Sequence, residues 1–343
     1  MSEIFSPLES FIHRLPKAEL HLHLEGSIEP ETLRELTRIK GRLQQEAESC
    51  IRDQESCRFR YGSHQEFLRR FKLVSLLLES PDDYALATSK LAERLAQQNV
   101  RYAEVTLSAG VILWKKQPLG EIFKAILEAT RDSEARLPLR IQWIFDAVRQ
   151  FGAEHAREVL QETRPFLNGD VVAFGIGGDE RAGPPEIFEG VYREARELGL
   201  RLTAHAGETA GPESIRKSVE ILSAERIGHG LTAARDQKLM ELLRERGIAL
   251  EVCLTSNVST GLISEPGNHP LRSFVESGVT VTLNSDDPAM FGTSLERELL
   301  IAAMTFSLSH AELRGICRNA IQVAFIAGGD KQRLLAEFDG AGV

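Results

Sequence analysis

The sequence has no CxxC cysteine pair, no apolar run of membrane-spanning length, no low-complexity tract and no excess of basic residues. Each absence excludes a class of protein. Its four cysteines, Cys50, Cys57, Cys253 and Cys317, suggest neither a cysteine zinc knuckle nor a thioredoxin-like site. Cys50 and Cys57 stand close enough to bridge, but a cytosolic chain keeps such thiols reduced. With 41 basic against 50 acidic residues, the formal net charge of −9 repels polyanions, so nucleic acid is not an expected partner. The opening MSEIFSPLESFIHRLPKAEL lacks the basic region, apolar core and cleavage site of a signal peptide. No membrane association and a cytoplasmic location are therefore expected. What is present, 343 residues of which 42% are hydrophobic, suffices for a sizeable core.

Short apolar runs rich in β-formers alternate with amphipathic stretches from about residue 100 onward, the pattern of repeated βα units on a parallel sheet. The runs are 101–107, 140–148, 171–176, 201–206, 226–230, 248–254 and 279–285, and AELHLHL at 18–24 makes an eighth. Helices are predicted at 119–133, 152–166, 185–198, 212–223, 234–246 and 270–277, several stopped by Gly199, Gly247 and Gly278. Eight strands favour a closed (β/α)8 TIM barrel. Periodicity alone is also compatible with an open doubly wound sheet. The stretch 30–98 reads as a helical insertion after the first strand, placed either over the substrate face or on the barrel exterior. No linker interrupts the chain, so residues 1–343 are expected to form a single domain.

His21 and His23 alternate with leucines in HLHLEG, so on a strand both imidazoles project from one face. Such a pair serves either as two satisfied histidines or as a chelate for one ion. Placement favours the chelate, because more polar residues fall at the C-terminal ends of later strands, where barrel active sites assemble. His205 closes RLTAHA with Glu208 three residues on, His229 closes RIGHG, and Asp286 and Asp287 follow VTVTLNS. Three imidazoles and a carboxylate suit one zinc ion per chain with a position left for water, and His21, His23, His205 and Asp286 are the expected ligands. Zinc acidifies water from a pKa of ~16 toward ~7, which makes hydrolysis the expected reaction class. Expelling ammonia from an aromatic ring also needs an acid beside the ring nitrogen, and Glu208 is the candidate. His229 reads as a fourth ligand or, preferably, as the group that orients the attacking hydroxide and accepts its proton. Asp287 reads as a hydrogen-bonding partner of the substrate ring or as a support for the metal ligands.

In order and spacing, LPKAELHLHLEGSIEPETL, TAHAGE, RIGHG, CLTSN, HPL and LNSDDP resemble the adenosine deaminase family of the amidohydrolase superfamily, over most of the chain. The resemblance implies a (β/α)8 barrel with one catalytic zinc held by His21, His23, His205 and Asp286. It also implies that Glu208 acts at the purine ring, that His229 pairs with the attacking hydroxide and that Asp287 contacts the base. Gly178, in FGIGGDE, matches a glycine whose backbone N–H reaches a purine nitrogen, and glycine permits that close approach.

One position departs from the pattern: Glu25 stands where adenosine deaminases carry an aspartate associated with the ribose hydroxyl. Adenine deaminases, aminodeoxyfutalosine deaminases and some bacterial adenosine deaminases resemble this chain there. RIGHG and GIGGDE, in place of the RIDHG and GLDSSE of adenine deaminases, favour a nucleoside over the free base. The expected reaction is therefore deamination of a small-molecule 6-aminopurine nucleoside, adenosine first and aminodeoxyfutalosine second, with adenine behind them. Another amidohydrolase reaction is the rival from outside purine chemistry. A two-metal version would need a carboxylated lysine on a middle strand, and VVAFGIGG supplies none. A non-catalytic binding protein on the same fold would have lost part of the set, and none is missing.

Overall fold

A computed structural model describes residues 6–40 and 61–342. Eight strands run parallel in the order β1 to β8: β1 (Lys17–His23), β2 (Val100–Leu107), β3 (Arg140–Val148), β4 (Val171–Gly177), β5 (Arg201–Ala206), β6 (Arg226–His229), β7 (Ala249–Val252) and β8 (Val281–Leu283). Helices cover the outside, so the strands are buried on both faces, and β1 and β6 to β8 are buried at every residue. That double burial is why they appear in the sequence as continuous apolar runs.

The two edges of the sheet meet through Leu22 and Asp286. The His23 N–H donates to the Asp286 carbonyl at 2.9 Å, and the Asp286 N–H donates to the His21 carbonyl at 3.1 Å. Beside this bridge, Asn284 Oδ1 accepts the Leu20 and His21 N–H groups at 3.0 and 3.2 Å. The strands thus form a nearly closed ring, the expected TIM barrel rather than an open sheet. β7 and β8 are shorter than the apolar runs 248–254 and 279–285 suggested. Leu254 already starts the helix Leu254–Ser259, and the residues after Leu283 leave the ladder to join β1. That helix and Ala109–Trp114 went unforeseen, because six residues are too few to display a helical period.

Within 30–98, the described residues form helices Pro30–Lys40, His64–Leu77 and Pro81–Gln97. Cys50 and Cys57 lie outside the described residues, whereas Cys253 and Cys317 are buried free thiols. The helix His64–Leu77 lies over the C-terminal mouth of the barrel, while Pro81–Gln97 packs against β2 and the helix Leu119–Glu134 in the outer layer. Among the described residues no helix is long and apolar enough to cross a membrane.

Inside the barrel, a polar chain runs between strands. Arg226 at the start of β6 hydrogen-bonds Glu104 of β2 and reaches Glu251 of β7 at 2.6 Å, with all three side chains at most 2% exposed. The Tyr102 hydroxyl donates to Glu104 at 2.9 Å, and the Arg226 guanidinium stacks 3.6 Å from the Phe325 ring centroid. Outside the barrel the packing is aromatic: Phe123, fully buried, meets Phe145 and Phe166 edge-on at 4.7 Å and Trp143 at 6.1 Å. Phe123→Ala is expected to lower unfolding free energy by about 3–5 kcal/mol in denaturant titrations, through lost transfer energy and a residual cavity. A loss below about 1 kcal/mol would show that this layer does not hold the barrel.

Candidate active site

The strand ends bring the predicted residues together. His21 and His23 lie on β1, His205 on β5, His229 at the end of β6, and Asp286 just past β8. His229 and Asp286 both have φ of 62°, left-handed backbone that costs a non-glycine residue about 1–3 kcal/mol and recurs at functional sites. At Asp286 the pairing with β1 on both sides holds the backbone in that shape.

His23 Nε2 and His205 Nε2 face each other at 3.3 Å, and Asp286 Oδ1 lies 3.3 Å from His21 Nε2 and 3.4 Å from His23 Nε2. Atoms each about 2.0–2.1 Å from a tetrahedral centre stand about 3.3–3.4 Å apart, so these separations suit a shared zinc-sized cation. Buried His21 Nε2 has no hydrogen-bond partner among the described residues, a second sign that a polar atom here awaits something else. His229 is close by: with His21, His205 and Asp286 it forms a set of potential ligand atoms all within 4.8 Å of one another. Its Nε2, however, is 3.9 Å from Asp286 Oδ2 and 3.7 Å from Glu208 Oε1, leaning toward the glutamate.

The outer nitrogens of His21, His205 and His229 are also held. His21 Nδ1 meets Glu251 Oε2 at 2.8 Å, which ties the first strand to the Arg226 chain, and His205 Nδ1 meets the Ile176 carbonyl at 3.2 Å. Asn257 Nδ2 lies 3.3 Å from His229 Nδ1. Burial would depress the His21 imidazolium, yet Asp286 and Glu251 outweigh it and lift its pKa to about 10. Burial pushes His23 down to about 4 and His205 well below the ordinary range, so both present neutral nitrogens. The glycine of RIGHG has a steric reason: a Cβ on Gly228 would stand 2.6 Å from the His21 ring.

Glu208 lines the cavity beside the cluster. Its loop is gathered by Glu180, whose carboxylate accepts the N–H groups of Gly207, Glu208 (3.1 Å), Thr209 (2.8 Å) and Ala210 (2.8 Å). His64 Nε2 approaches Glu208 Oε1 to 3.4 Å. Burial alone would raise the Glu208 pKa, but the charges of His229 and His64 outweigh it and hold it at about 2. Asp287 lines the same cavity, its carboxyl pushed well up by burial and by Asp286, while its Oδ1 packs against Gly26 with no hydrogen-bond partner among the described residues. Gly178, at φ +93°, also lines the cavity.

Glu25 does not line the cavity. It is 1% exposed, with Oε1 accepting the Ser108 N–H at 3.1 Å, Oε2 without a partner among the described residues, and its pKa pushed to about 7 by burial. Ser108 and Asp146, which were not among the expected site residues, do line it, and burial lifts Asp146 to about 8. Ser256 is buried on the helix Leu254–Ser259 and does not. Sequence reasoning passed over His64, Glu180, Glu251 and Asn257. Of these, Glu180 had a signal, an acid two residues beyond Gly178 in FGIGGDE.

The whole cavity measures about 340 Å³, in the range of small-molecule sites. A folded Glu251→Gln variant is expected to lose about 10–100-fold in zinc affinity, read by competition with a chromophoric chelator, because the carboxylate that orients His21 is gone. Unchanged affinity would remove Glu251 from the support of this cluster.

Residues 16–341 match the family model described as adenosine deaminase. The aminodeoxyfutalosine deaminase of Streptomyces avermitilis is 38% identical, covering 97% of this chain and 92% of that protein. The adenosine deaminase of Serratia proteamaculans is 33% identical over 94% of this chain and 97% of its own. Among solved structures, a zinc-bound amidohydrolase from Burkholderia ambifaria superposes with a TM-score of 0.88 at 25% identity, covering 99% of this chain and 95% of that one. A barrel with its histidines, aspartates and glutamate at the strand ends, matched along nearly its whole length, places this chain in the adenosine deaminase family.

Proposed function

We propose that this protein removes the 6-amino group of a purine nucleoside by hydrolysis, as a single-domain cytoplasmic enzyme with one zinc ion per chain. The observation that carries the reading is the pairing of Glu208 with His229 at 3.7 Å on the wall of a cavity floored by the histidine–aspartate cluster. The named activities of the Streptomyces and Serratia relatives support the same chemistry.

His21, His23, His205 and Asp286 are the residues that would hold zinc. Bound there, zinc supplies the Lewis acidity that brings water to a pKa near ~7. His229 takes up the proton of the attacking water and stabilises the charge that develops at C6. Glu208, ionised in the free protein, takes up a proton as the base enters and delivers it to the neighbouring ring nitrogen as aromaticity is lost, and ammonia leaves with the proton that His229 returns. The Asp287 carboxyl meets one edge of the base, and the Gly178 backbone another. The Glu180 cradle keeps the Glu208 loop in place without touching substrate.

Ammonia release by the zinc-loaded protein, compared by kcat/KM for adenosine, deoxyadenosine, adenine and aminodeoxyfutalosine, tests the reading. Activity on the nucleosides above adenine is expected, and no ammonia from any of the four would overturn it. Glu208→Gln is expected to keep its zinc, measured by elemental analysis, while kcat falls at least about 10²-fold. Near-normal turnover in that variant would remove Glu208 from the reaction.

A further inference from the structure

We infer that His64 keeps Glu208 supplied with the proton that the reaction spends, drawing it from solvent through a second cavity beside the active site. The inference rests on the purine nucleoside reading above and adds a positioning residue that acts through Glu208 rather than on the base.

Glu208 enters the cycle ionised, yet the ring nitrogen must receive a proton. Two imidazoles stand against its carboxylate: His229 Nε2 at 3.7 Å and His64 Nε2 at 3.4 Å from the same Oε1. His229 already has the proton of the attacking water to handle. His64 is the donor that is left, and its distance is of the kind that closes to a hydrogen bond when a site fills. Its side chain, 12% exposed, opens the helix His64–Leu77, with Ser63 as the capping residue.

A second cavity, of about 510 Å³, adjoins this pair. Among the described residues only His64 and Glu208 line both cavities. The rest of the second wall includes Asp179, Arg181, Thr209, Thr232 and Arg235, and it reaches the surface at the exposed Arg181 and Arg235. A base seated against Glu208 fills the first cavity and shuts out its water. Solvent in the second cavity still reaches His64.

The charges around His64 favour its cationic form. Burial disfavours the imidazolium, but Glu208, Asp286 and Asp179, which follow β5, β8 and β4, together outweigh it and raise the His64 pKa. The basic groups nearby are Arg181 and Arg235 in the second cavity, His229 beside Glu208, and Lys72 on the same helix. The positive end of the helix also opposes the charge.

The protons balance over a turnover. As the base enters, an N–H bond of His64 breaks and an O–H bond forms on Glu208; that proton then moves to the ring nitrogen and stays in the product. Of the two protons of the attacking water, one passes through His229 to the leaving ammonia. The other remains on the C6 hydroxyl until the carbonyl forms, then returns to Glu208 and on to His64. Both residues end as they began.

The test uses the zinc-loaded parent and His64→Gln, with whichever of the four compounds above the parent deaminates fastest. His64→Gln is expected to keep its zinc and to lose about tenfold or more in kcat, with KM little changed. Because the proton must then be held by Glu208 alone, the alkaline fall of kcat/KM should move to lower pH by about one unit or more. Added imidazole should restore turnover to His64→Gln and leave the parent unaffected. In histidine side-chain NMR without substrate, the His64 midpoint of the parent should lie above the ordinary value and fall in Glu208→Gln. Unchanged kcat in His64→Gln would overturn the inference. A loss of kcat that leaves the pH profile in place and ignores imidazole would also overturn it, leaving His64 a packing residue. So would a His64 midpoint that stays put in Glu208→Gln. In each of these cases the parent still releases ammonia and the deaminase reading stands, whereas no ammonia from the parent removes both.

Discussion

The buried Arg226 guanidinium between Glu104 and Glu251 is the interaction on which the rest of the site depends. Charges removed from water this completely survive only when paired and hydrogen-bonded, and deleting one partner of such a set typically costs about 3–5 kcal/mol. Here the pairing also has a direction. Arg226 holds Glu251, Glu251 holds His21 Nδ1, and His21 turns its other nitrogen into the cluster. Strands β2, β6 and β7 are thus joined to β1 by charge as well as through the ring of ladders. The orientation of the first predicted ligand is set from beneath, inside the barrel.

Asp286 couples closure of the barrel to assembly of the site. Its backbone bridges the sheet edges while its carboxylate lies among the imidazoles, and its left-handed conformation is the local cost of doing both. Because His21 and His23 belong to the other side of the same bridge, any shift in closure would displace three of the four predicted ligands together. Glu180 plays the corresponding part for Glu208: one carboxylate collects consecutive backbone donors and fixes the loop that presents the proposed acid. Each device determines where a reacting group stands.

Much of the barrel was legible because its signals are local. A strand buried on both faces must be a continuous apolar run, and the ranges 101–107 and 140–148 fall within a residue of β2 and β3. The two histidines of β1 were legible for the same reason, since alternation sends both to one face. The short helices Ala109–Trp114 and Leu254–Ser259 were not, having less than two turns in which to show a period. His64 was invisible for a different reason: it is separated from Glu208 by more than a hundred residues, and nothing in its own helix marks it as belonging to a site. Glu25 is the instructive case. Its place in the HLHLEG motif suggested a substrate contact, but the fold turns it against the Ser108 amide and away from the cavity wall.

The sequence by itself determined the strand count, the family likeness, the residue types available for metal and proton chemistry, and their assignment to strand ends. These follow from covalent order and from the two-residue and 3.6-residue periods of the backbone, which need no knowledge of distant neighbours. Only the tertiary structure decided that the sheet comes round to join β1 to the segment after β8, that His229 leans toward Glu208, and that Arg226 and Glu251 stand behind His21. It alone decided that His64 and Glu208 meet between two cavities. Contacts of that kind depend on how strands and helices far apart in the chain pack against one another, and no local pattern encodes them.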